Sequence, residues 1–344
     1  MKHRWRKFLG FGLLIITVSI LWAFMVNGLH VHHDLISPTP HTLPQRHSFT
    51  LKDDMSTYQL NVTQFEMEFP HLQSYECTLL EDKVDYCRSP AGKPLLLLAI
   101  KTHPMSSDRR ASLRRTWAVE KEVSGYWVKP LFLMATDPVL KHMSLVRKEV
   151  EEFQDILMWD FNEGHHNLSL KERCFIEWLH HNCKEAEFIF KGDDDELANP
   201  SVIVKYIRTI ANVSCCLHGA LQRHSVVVRS GKYGVTHSLF PLPKYPNFLS
   251  GGGFLMPGAT VPSLYRASTE LPVYPLDDVY LGMLGLVARI ELQHSPLFYV
   301  FGLKYDTCHY KAAVVVHGIS PDQLVKIWTE MEEAECEPVF KWNR

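Results

Sequence analysis

The stretch Glu187-Phe-Ile-Phe-Lys-Gly-Asp-Asp-Asp195 joins a short apolar run to three consecutive carboxylates. The apolar part predicts a buried strand, and the triplet Asp193 to Asp195 follows at its carboxyl end. Ligands of open α/β sheets bind at the carboxyl ends of strands, and oxygen ligands placed there can hold a divalent cation. Acidic triplets are more often solvated loops, so a cation site depends on what surrounds this one.

The residues before this strand alternate between strand-like and helical patterns. The run Leu95–Ile100 is continuously apolar, as is typical of a strand buried on both faces. A capping-box sequence, Ser169-Leu-Lys-Glu172, predicts the start of a helix. The whole alternation predicts an α/β domain with a doubly wound, mostly parallel sheet. The predicted strands are 95–100, 131–135, 156–159 and 187–190, and the predicted helices are 106–117, 139–152 and the segment after residue 169.

Two further motifs follow the triplet. Asp277 and Asp278 precede an apolar run that predicts a buried helix, whose N-terminus favours negative charge. An ordinary helix N-cap is the alternative for this pair. The glycines of Ser250-Gly-Gly-Gly-Phe254 allow the backbone to approach a ligand closely, although they are equally consistent with a flexible turn. Glycine spacings of the Walker or dinucleotide-binding type are absent from the sequence.

Composition limits the class of protein. Hydrophobic residues make up 46% and charged residues 22% of the 344 residues, which excludes a disordered, collagen-like or multispan membrane protein. The formal net charge is −2, so no overall basic field attracts nucleic acid, and we predict no nucleic-acid partner. The charge is uneven, because residues 1–26 contain four lysines and arginines and no acidic residue.

The N-terminus predicts membrane attachment. Phe8 to Val26 are nineteen residues without an ionisable side chain, and as a helix they would span about 28 Å. The run exceeds the apolar core of a signal peptide and ends in bulky residues, which favours an uncleaved anchor over a cleaved signal. The basic flank belongs in the cytosol. We therefore predict a cytosolic tail (1–7), a transmembrane signal anchor (8–26), a lumenal stem (27–90) and a catalytic domain (91–344).

Other features agree with a lumenal location. Asn61, Asn167 and Asn212 each begin an N-glycosylation triplet, which is used only in the secretory lumen. All eight cysteines follow the predicted anchor, where disulfides form readily, but the sequence does not choose among their pairings.

Taken in order, these motifs resemble the β1,3-glycosyltransferase family of the Golgi, glycosyltransferase family 31, and most closely its β1,3-N-acetylglucosaminyltransferase branch. The resemblance covers about residues 94–337. The matching segments are Arg109-Arg-Ala-Ser-Leu-Arg-Arg-Thr-Trp117, Asp160-Phe-Asn-Glu-Gly-His-His-Asn-Leu-Ser-Leu-Lys171, Phe188-Ile-Phe-Lys-Gly-Asp-Asp-Asp195, Gly251-Gly-Gly-Phe254, Asp277-Asp-Val-Tyr-Leu-Gly282 and Val316-His317.

The resemblance implies a GT-A type domain, located in the Golgi membrane as a single-pass type II protein. It implies inverting transfer of N-acetylglucosamine from UDP-GlcNAc to the 3-hydroxyl of a galactose-ended glycan on a glycoprotein or glycolipid. By the same resemblance, Asp278 is the catalytic base and Asp195 the direct ligand of the cation. The remaining implied residues are Asp193 and His317 at the cation, and Thr102, Arg110, Arg114, Asp193 and Asp194 at the donor.

Mixed carboxylate and imidazole ligands favour manganese over magnesium as that cation. For His317, a buried structural histidine is the alternative, and for the two arginines, plain solvation. A β1,3-galactosyltransferase shares every motif, and a catalytically silent sugar-binding relative is a further alternative. Association with itself or with other Golgi transferases is left open.

The chain departs from the family pattern at two places. Glu196 stands where relatives usually have an apolar residue, and it either alters the field of the cation site or faces solvent. Gly282-Met-Leu284 replaces the usual Gly-x-Cys, so the resemblance implies that one disulfide is missing and that Cys308 is its unpaired partner.

Overall fold

The computed structural model describes residues 48–54 and 56–336. Its main feature is a nine-stranded mixed sheet with strand order β12-β10-β11-β8-β4-β6-β7-β3, to which β5 adds by pairing with β6. The strands are β1 (Ser48–Lys52), β2 (Thr57–Asn61), β3 (Leu79–Glu81), β4 (Leu95–Lys101), β5 (Lys121–Val123), β6 (Tyr126–Thr136), β7 (Ile156–Asn162), β8 (Ala186–Asp193), β9 (Glu196–Ala198), β10 (Cys216–Gln222), β11 (Phe248–Pro257), β12 (Glu291–His294), β13 (Phe298–Tyr299) and β14 (Val315–His317).

Helices cover both faces of this sheet, and two smaller sheets accompany it, β1-β2 and β13-β14-β9. The helices are α1 (Val62–Glu68), α2 (Pro70–Ser74), α3 (Ser107–Arg114), α4 (Leu140–Phe153), α5 (Leu168–Asn182), α6 (Pro200–Thr209), α7 (Val261–Glu270), α8 (Asp277–Ala288), α9 (Thr307–Ala312) and α10 (Pro321–Glu333).

The centre of the main sheet is parallel and buried on both faces. Strands β8, β4, β6 and β7 are parallel neighbours, whereas the pairs β11–β8, β10–β11, β3–β7 and β5–β6 are antiparallel. Successive side chains of a strand point to opposite faces. Accordingly Leu95, Leu97 and Ala99 belong to the core on one face, and Leu96 and Leu98 to the core on the other.

The strands and helices predicted between residues 95 and 190 are confirmed, with bounds shifted by a few residues, and so is the α/β class. The capping box is wrong. Helix α5 begins two residues earlier, at Leu168, with Asn167 rather than Ser169 as its N-cap residue. Ser169 lies inside the first turn and is fully buried, because the apolar face of α5 packs onto the sheet at this point.

The predicted stem is corrected for residues 48–90. This segment belongs to the same folded unit as the sheet. Strand β3 pairs with β7, and Leu60, Phe65 and Leu72 are completely buried in the core. The segment lacks the periodicity of a long helix or strand because it folds as short elements, each of which contributes one or two buried side chains.

Disulfides attach this segment to helix α5. Cys77 bonds to Cys174 within α5, and Cys87 bonds to Cys183, the C-cap residue of the same helix. Cys215 bonds to its neighbour Cys216. Cys308 bonds to Cys336, which overturns the expectation of an unpaired Cys308. Leu284, where relatives have a cysteine, is instead buried in the core.

The predicted cytosolic tail, the anchor over 8–26 and the first part of the stem lie outside the described residues. Within residues 48–54 and 56–336, no helix combines the length and the apolarity that crossing a bilayer requires.

Candidate active site

A cavity of about 920 Å³ opens where several elements end together. In the parallel pair β4–β8, Lys101 is in register with Asp193, so the carboxyl ends of the two central strands coincide. The N-terminus of α8, the glycines of β11 and the end of β14 complete the wall. Seven carboxyl groups from distant parts of the chain lie in or beside this space: Glu163, Asp193, Asp194, Asp195, Glu196, Asp277 and Asp278.

Lys101 neutralises part of this negative charge. Its Nζ lies 3.0 Å from Oδ1 of Asp193 and 2.9 Å from Oδ2 of Asp277, and its side chain is 6% exposed. Burial alone lowers the pKa of Lys101, but the two carboxylates outweigh this effect and hold that pKa well above its usual value. Lys101 therefore stays charged and joins strand β4 to the start of α8.

Asp277 and Asp278 have opposite titration behaviour although they are adjacent. Burial opposes ionisation of Asp277, yet the charges of Lys101 and Lys191 lower its pKa to about 2. Burial raises the pKa of Asp278 to about 7, and the negative charge of Asp277 adds to this rise. Asp278 accepts a hydrogen bond at 2.8 Å from the backbone N–H of Val279. One carboxylate of the pair is thus ionised near neutrality, and the other is poised to exchange a proton.

The prediction of a helix starting at this acidic pair is confirmed, since α8 begins at Asp277. The alternative of an ordinary N-cap is wrong in detail. Leu276 occupies the N-cap position, and both aspartates lie in the first turn. Positive partial charge at a helix N-terminus stabilises carboxylates placed there.

The glycine run forms the floor of the cavity rather than a flexible turn, because it lies within β11. Gly251 and Gly252 line the space. A Cβ atom on Gly252 would come within 3.2 Å of Cδ2 of His317. Gly253 has φ +105°, a conformation that side chains rarely allow.

The aspartate triplet divides between two sets of partners. Asp194 accepts hydrogen bonds from Oγ1 of Thr102 at 2.7 Å and from Nη1 of Arg109 at 3.1 Å. Burial raises the pKa of Asp194 despite these bonds. Asp195 lies 3.3 Å from Nη1 of Arg109 and, through its other oxygen, 3.3 Å from Nε2 of His317. Thr102 and the whole triplet line the cavity, and their roles at the donor and the cation stay predictions.

His317 also belongs to a second group. Ligand atoms of Asp193, Glu196 and His317 lie within 4.8 Å of one another. His317 is half-buried, its side chain 34% exposed, so it is accessible from the cavity and is not the buried structural histidine of the alternative interpretation. Two carboxylates and an imidazole fit a transition-metal cation such as manganese.

Arg110 and Arg114 do not line the cavity, although Nη1 of Arg110 donates to Oγ1 of the cavity-lining Thr102 at 3.1 Å. Arg110 is completely buried, and its guanidinium donates to both oxygens of Glu149 at 2.7 Å. Arg114 donates to Glu149 and to both oxygens of Asp155. Neither is among the residues that line the cavity, and their ion pairs join α3 to α4 and β7. A donor contact through either side chain would first require these pairs to break. The structure therefore does not support the donor roles expected for them.

Sequence reasoning missed Lys101 and Arg109. Lys101 ends the apolar run of β4, and a lysine at the carboxyl end of a fully buried strand is a usable signal for a site residue. Arg109 begins the basic segment 109–117, in which the sequence does not distinguish it from Arg110. Lys171, the last residue of the matching segment 160–171, also lines the cavity, where it donates to Oε1 of Glu163 at 2.6 Å.

The three glycosylation asparagines differ in accessibility. Asn61 and Asn212 are exposed. Asn167 is half-buried, donates through its amide to the carbonyl of Asn162 at 2.8 Å and contacts His71 through its oxygen.

Comparison with known proteins identifies the family. The sequence model described as Galactosyltransferase matches residues 108–296, which include α3, the aspartate triplet and the start of α8. The chain belongs to this glycosyltransferase family, glycosyltransferase family 31, and it is a glycosyltransferase with an α/β fold and a mixed central sheet.

Three human relatives indicate the branch of the family to which the chain is most similar. The chain is 33% identical to N-acetyllactosaminide beta-1,3-N-acetylglucosaminyltransferase 2 over 77% of this chain and 68% of that protein. It is 31% identical to UDP-GlcNAc:betaGal beta-1,3-N-acetylglucosaminyltransferase 9, over 73% of this chain and 69% of that one. It is 32% identical to acetylgalactosaminyl-O-glycosyl-glycoprotein beta-1,3-N-acetylglucosaminyltransferase, again over 73% and 69%. The resemblance to this branch is therefore confirmed.

Among solved structures, the WbbM bifunctional glycosyltransferase matches with a TM-score of 0.39 and 11% identity, over 74% of this chain and 53% of that chain. The galactosyltransferase LgtC matches with a TM-score of 0.35 and 11% identity, over 71% and 98%. These scores are too low to establish a common fold.

From the ion pairs of Lys101 we predict that this residue stabilises the folded protein. Lys101→Met leaves Asp193 and Asp277 without their shared cation, so we expect the free energy of unfolding at pH 7 to fall by about 3–5 kcal/mol. The pKa of Asp277 in the folded protein lies below its ordinary value of 3.8. The stabilisation is therefore complete above that value and disappears as the pH falls through about 2. Denaturant unfolding of both proteins between pH 7 and pH 2 measures the difference.

Lys326→Met is the control, because Lys326 is 77% exposed and its partner Glu330 is 38% exposed. Removal of this surface pair should change the free energy of unfolding by less than about 1 kcal/mol. An equal loss in the two variants would refute the special role of Lys101.

Proposed function

We propose that this protein transfers N-acetylglucosamine from UDP-GlcNAc to the 3-hydroxyl of a galactose-ended glycan, with inversion, to form a β1,3 linkage. The observation that carries the proposal is the convergence on one cavity of a carboxyl with a pKa of about 7, Asp278, and a group of cation-binding side chains. The donor, acceptor and linkage come from the names of the relatives, which act on these substrates by their printed titles.

The donor binds at the end of the cavity where Asp193, Asp195 and His317 lie. These residues would hold a divalent cation, which we propose to be manganese. When bound, the cation neutralises negative charge on the departing diphosphate. Asp194 lines the cavity and accepts hydrogen bonds from Thr102 and Arg109, so its part is to position this loop beside the nucleotide.

Asp278 acts on the acceptor. Inversion in a single displacement needs a base that takes the proton of the attacking hydroxyl. The hydroxyl oxygen forms the new bond to the anomeric carbon, the bond from that carbon to the diphosphate oxygen breaks, and UDP leaves. Asp277, held ionised by Lys101, keeps the proton affinity of Asp278 high, so Asp278 receives the proton readily.

Two exposed aromatic rings of the cavity are suited to a sugar chain. Tyr233 is 54% exposed and Phe301 is 84% exposed, and both line the space. Aromatic faces combined with a few polar groups are typical of ligand-binding pockets. We propose that the acceptor glycan packs against these two rings, with its reactive hydroxyl directed toward Asp278.

A panel of donors and acceptors tests the function. Purified protein is incubated with manganese, either UDP-GlcNAc or UDP-galactose, and glycans ending in galactose, N-acetylglucosamine or N-acetylgalactosamine. We expect transfer from UDP-GlcNAc onto the galactose-ended glycan, with a β1,3 linkage shown by methylation analysis. Transfer from UDP-galactose instead would establish the galactosyltransferase alternative. Absence of transfer in every combination would favour the sugar-binding alternative.

Asp278→Asn tests the base. The amide cannot accept the proton, so we expect transfer to fall by about 10²-fold or more, the usual contribution of general base catalysis. Binding of UDP, measured by calorimetry with manganese, should change little. Asp322→Asn is the matched control, because Asp322 also lies in the first turn of a helix but is exposed. Full activity of Asp278→Asn would remove it from the reaction.

The pH dependence of the turnover rate tests the role of Asp278 as the base independently. A base works only when deprotonated, and the pKa of Asp278 is about 7. The turnover rate should therefore rise about tenfold per pH unit below 7 and level off above 8. A rate that is constant between pH 5.5 and 8 would contradict this assignment.

We propose that the catalytic domain lies in the Golgi lumen, behind the membrane anchor of residues 8–26. The glycosylation triplets and the disulfides support a lumenal location. Removal of N-glycans from protein expressed in animal cells should lower its mass, with glycans mapped to the exposed Asn61 and Asn212. Asn167 should carry none, because its side chain is engaged by Asn162. Unglycosylated Asn61 and Asn212 would refute the lumenal location.

A further inference from the structure

Glu196, the residue that departs from the family pattern, does not face solvent. It follows the aspartate triplet as the first residue of β9, and its side chain has no exposed surface. Both carboxyl oxygens lack a hydrogen-bond partner among the residues that the structure describes. Two other buried carboxylates of this region, Glu163 and Glu172, pair with Nζ of Lys171 and Nζ of Lys191. Among the described residues, no lysine or arginine forms an ion pair with Glu196, although the charge of Lys101 is close enough to act on it.

The strand pairing directs this side chain toward the site. In the antiparallel pair β9–β14, Glu196 is directly opposite His317. Residues that face each other in this way project from the same side of the sheet. Each offers a ligand atom within 4.8 Å of the other and of a carboxylate oxygen of Asp193. The three side chains therefore converge on one point from β8, β9 and β14.

Two glycines leave room for the carboxylate of Glu196, because a side chain at either position would crowd it. A Cβ atom on Gly192 would overlap Oε2 of Glu196, and one on Gly253 would lie 3.4 Å from the same oxygen. The backbone carbonyl of Glu196 accepts a hydrogen bond at 2.9 Å from Nε1 of the buried Trp117, which holds the start of β9 in place. Glu196 thus has a defined position beside two glycines.

A buried carboxyl group without a partner is unfavourable, because it has lost its water and gained no hydrogen bond. Such groups are retained when something else compensates them, such as a metal ion. Hard oxygen and imidazole ligands together suit manganese and similar divalent cations.

We propose that Glu196 is a direct ligand of the divalent cation, together with Asp193 and His317. The inference rests on the proposed function, since it concerns the cation that serves the donor. Glu196 adds to Asp193, Asp195 and His317, the residues proposed above to hold the cation. Asp195 lies 3.3 Å from both Arg109 and His317, whereas Glu196 is fully buried. Because Glu196 is an additional carboxylate, we expect the chain to bind the cation without the nucleotide.

The test measures manganese binding rather than activity. Purified full-length chain in detergent is titrated with Mn²⁺ alone, and then with Mn²⁺ and UDP, and free Mn²⁺ is followed by electron paramagnetic resonance. We expect wild-type protein to bind Mn²⁺ without nucleotide and Glu196→Gln to bind it at least tenfold more weakly. Glu187→Gln is the matched control, because it removes a carboxylate from the exposed far end of β8, and it should bind Mn²⁺ as wild type does.

Glu196→Leu guards against a folding defect, since a leucine matches the apolar surroundings and needs no hydrogen bond. Without metal, its melting temperature should equal or exceed that of wild type. Saturating Mn²⁺ should raise the melting temperature of wild type and Glu187→Gln, and raise it less in both Glu196 variants.

The outcomes separate this inference from the proposed function. Unchanged Mn²⁺ affinity in both Glu196 variants overturns the inference, and the proposed function stands if wild type still transfers N-acetylglucosamine. Weakened Mn²⁺ binding in a protein that transfers no sugar supports the ligand assignment and overturns the proposed function. A wild-type protein that binds no Mn²⁺, with or without UDP, overturns the ligand assignment.

Discussion

The contact of Lys101 with Asp193 and Asp277 is the interaction on which the cavity depends. Carboxyl groups that converge in a partly buried space repel one another, and each loses hydration. Lys101, itself buried, compensates two of them and joins the end of β4 to the start of α8. It also separates the roles of adjacent residues, because it keeps Asp277 ionised, and the charge of Asp277 raises the pKa of Asp278.

The parallel register of the central strands makes this contact possible. Because β4 and β8 end at the same level, a lysine and an aspartate 92 positions apart in sequence become neighbours. The glycines of β11 let α8 and β14 approach the same point, which brings in residues from the last third of the chain. The helix N-terminus then adds its own positive partial charge for the two aspartates of α8.

The local sequence pattern was sufficient to predict the central strands and helices of the fold. The apolar runs of β4 and β8 and the amphipathic helices between them follow from hydrophobic periodicity, and the ordered motifs of the resemblance implied the family that the comparisons confirm. The pattern failed for residues 48–90, where short elements with one or two buried residues each resemble a linker. Their place in the domain follows from long-range contacts with β7 and α5 and from the two disulfides to α5.

The sequence by itself determined the α/β class, the glycosyltransferase family and the acidic motifs of the site. Each of these depends on short runs of consecutive residues and on their order along the chain. The tertiary structure alone decided which neighbour within a motif faces the cavity. It turns Arg109 toward the aspartate triplet and buries Arg110 against Glu149, and it places Glu196 inside the domain opposite His317. Adjacent residues have nearly the same sequence neighbours, but their side chains project in different directions. Which groups each side chain contacts is therefore determined only by the packing of segments that are distant in the sequence.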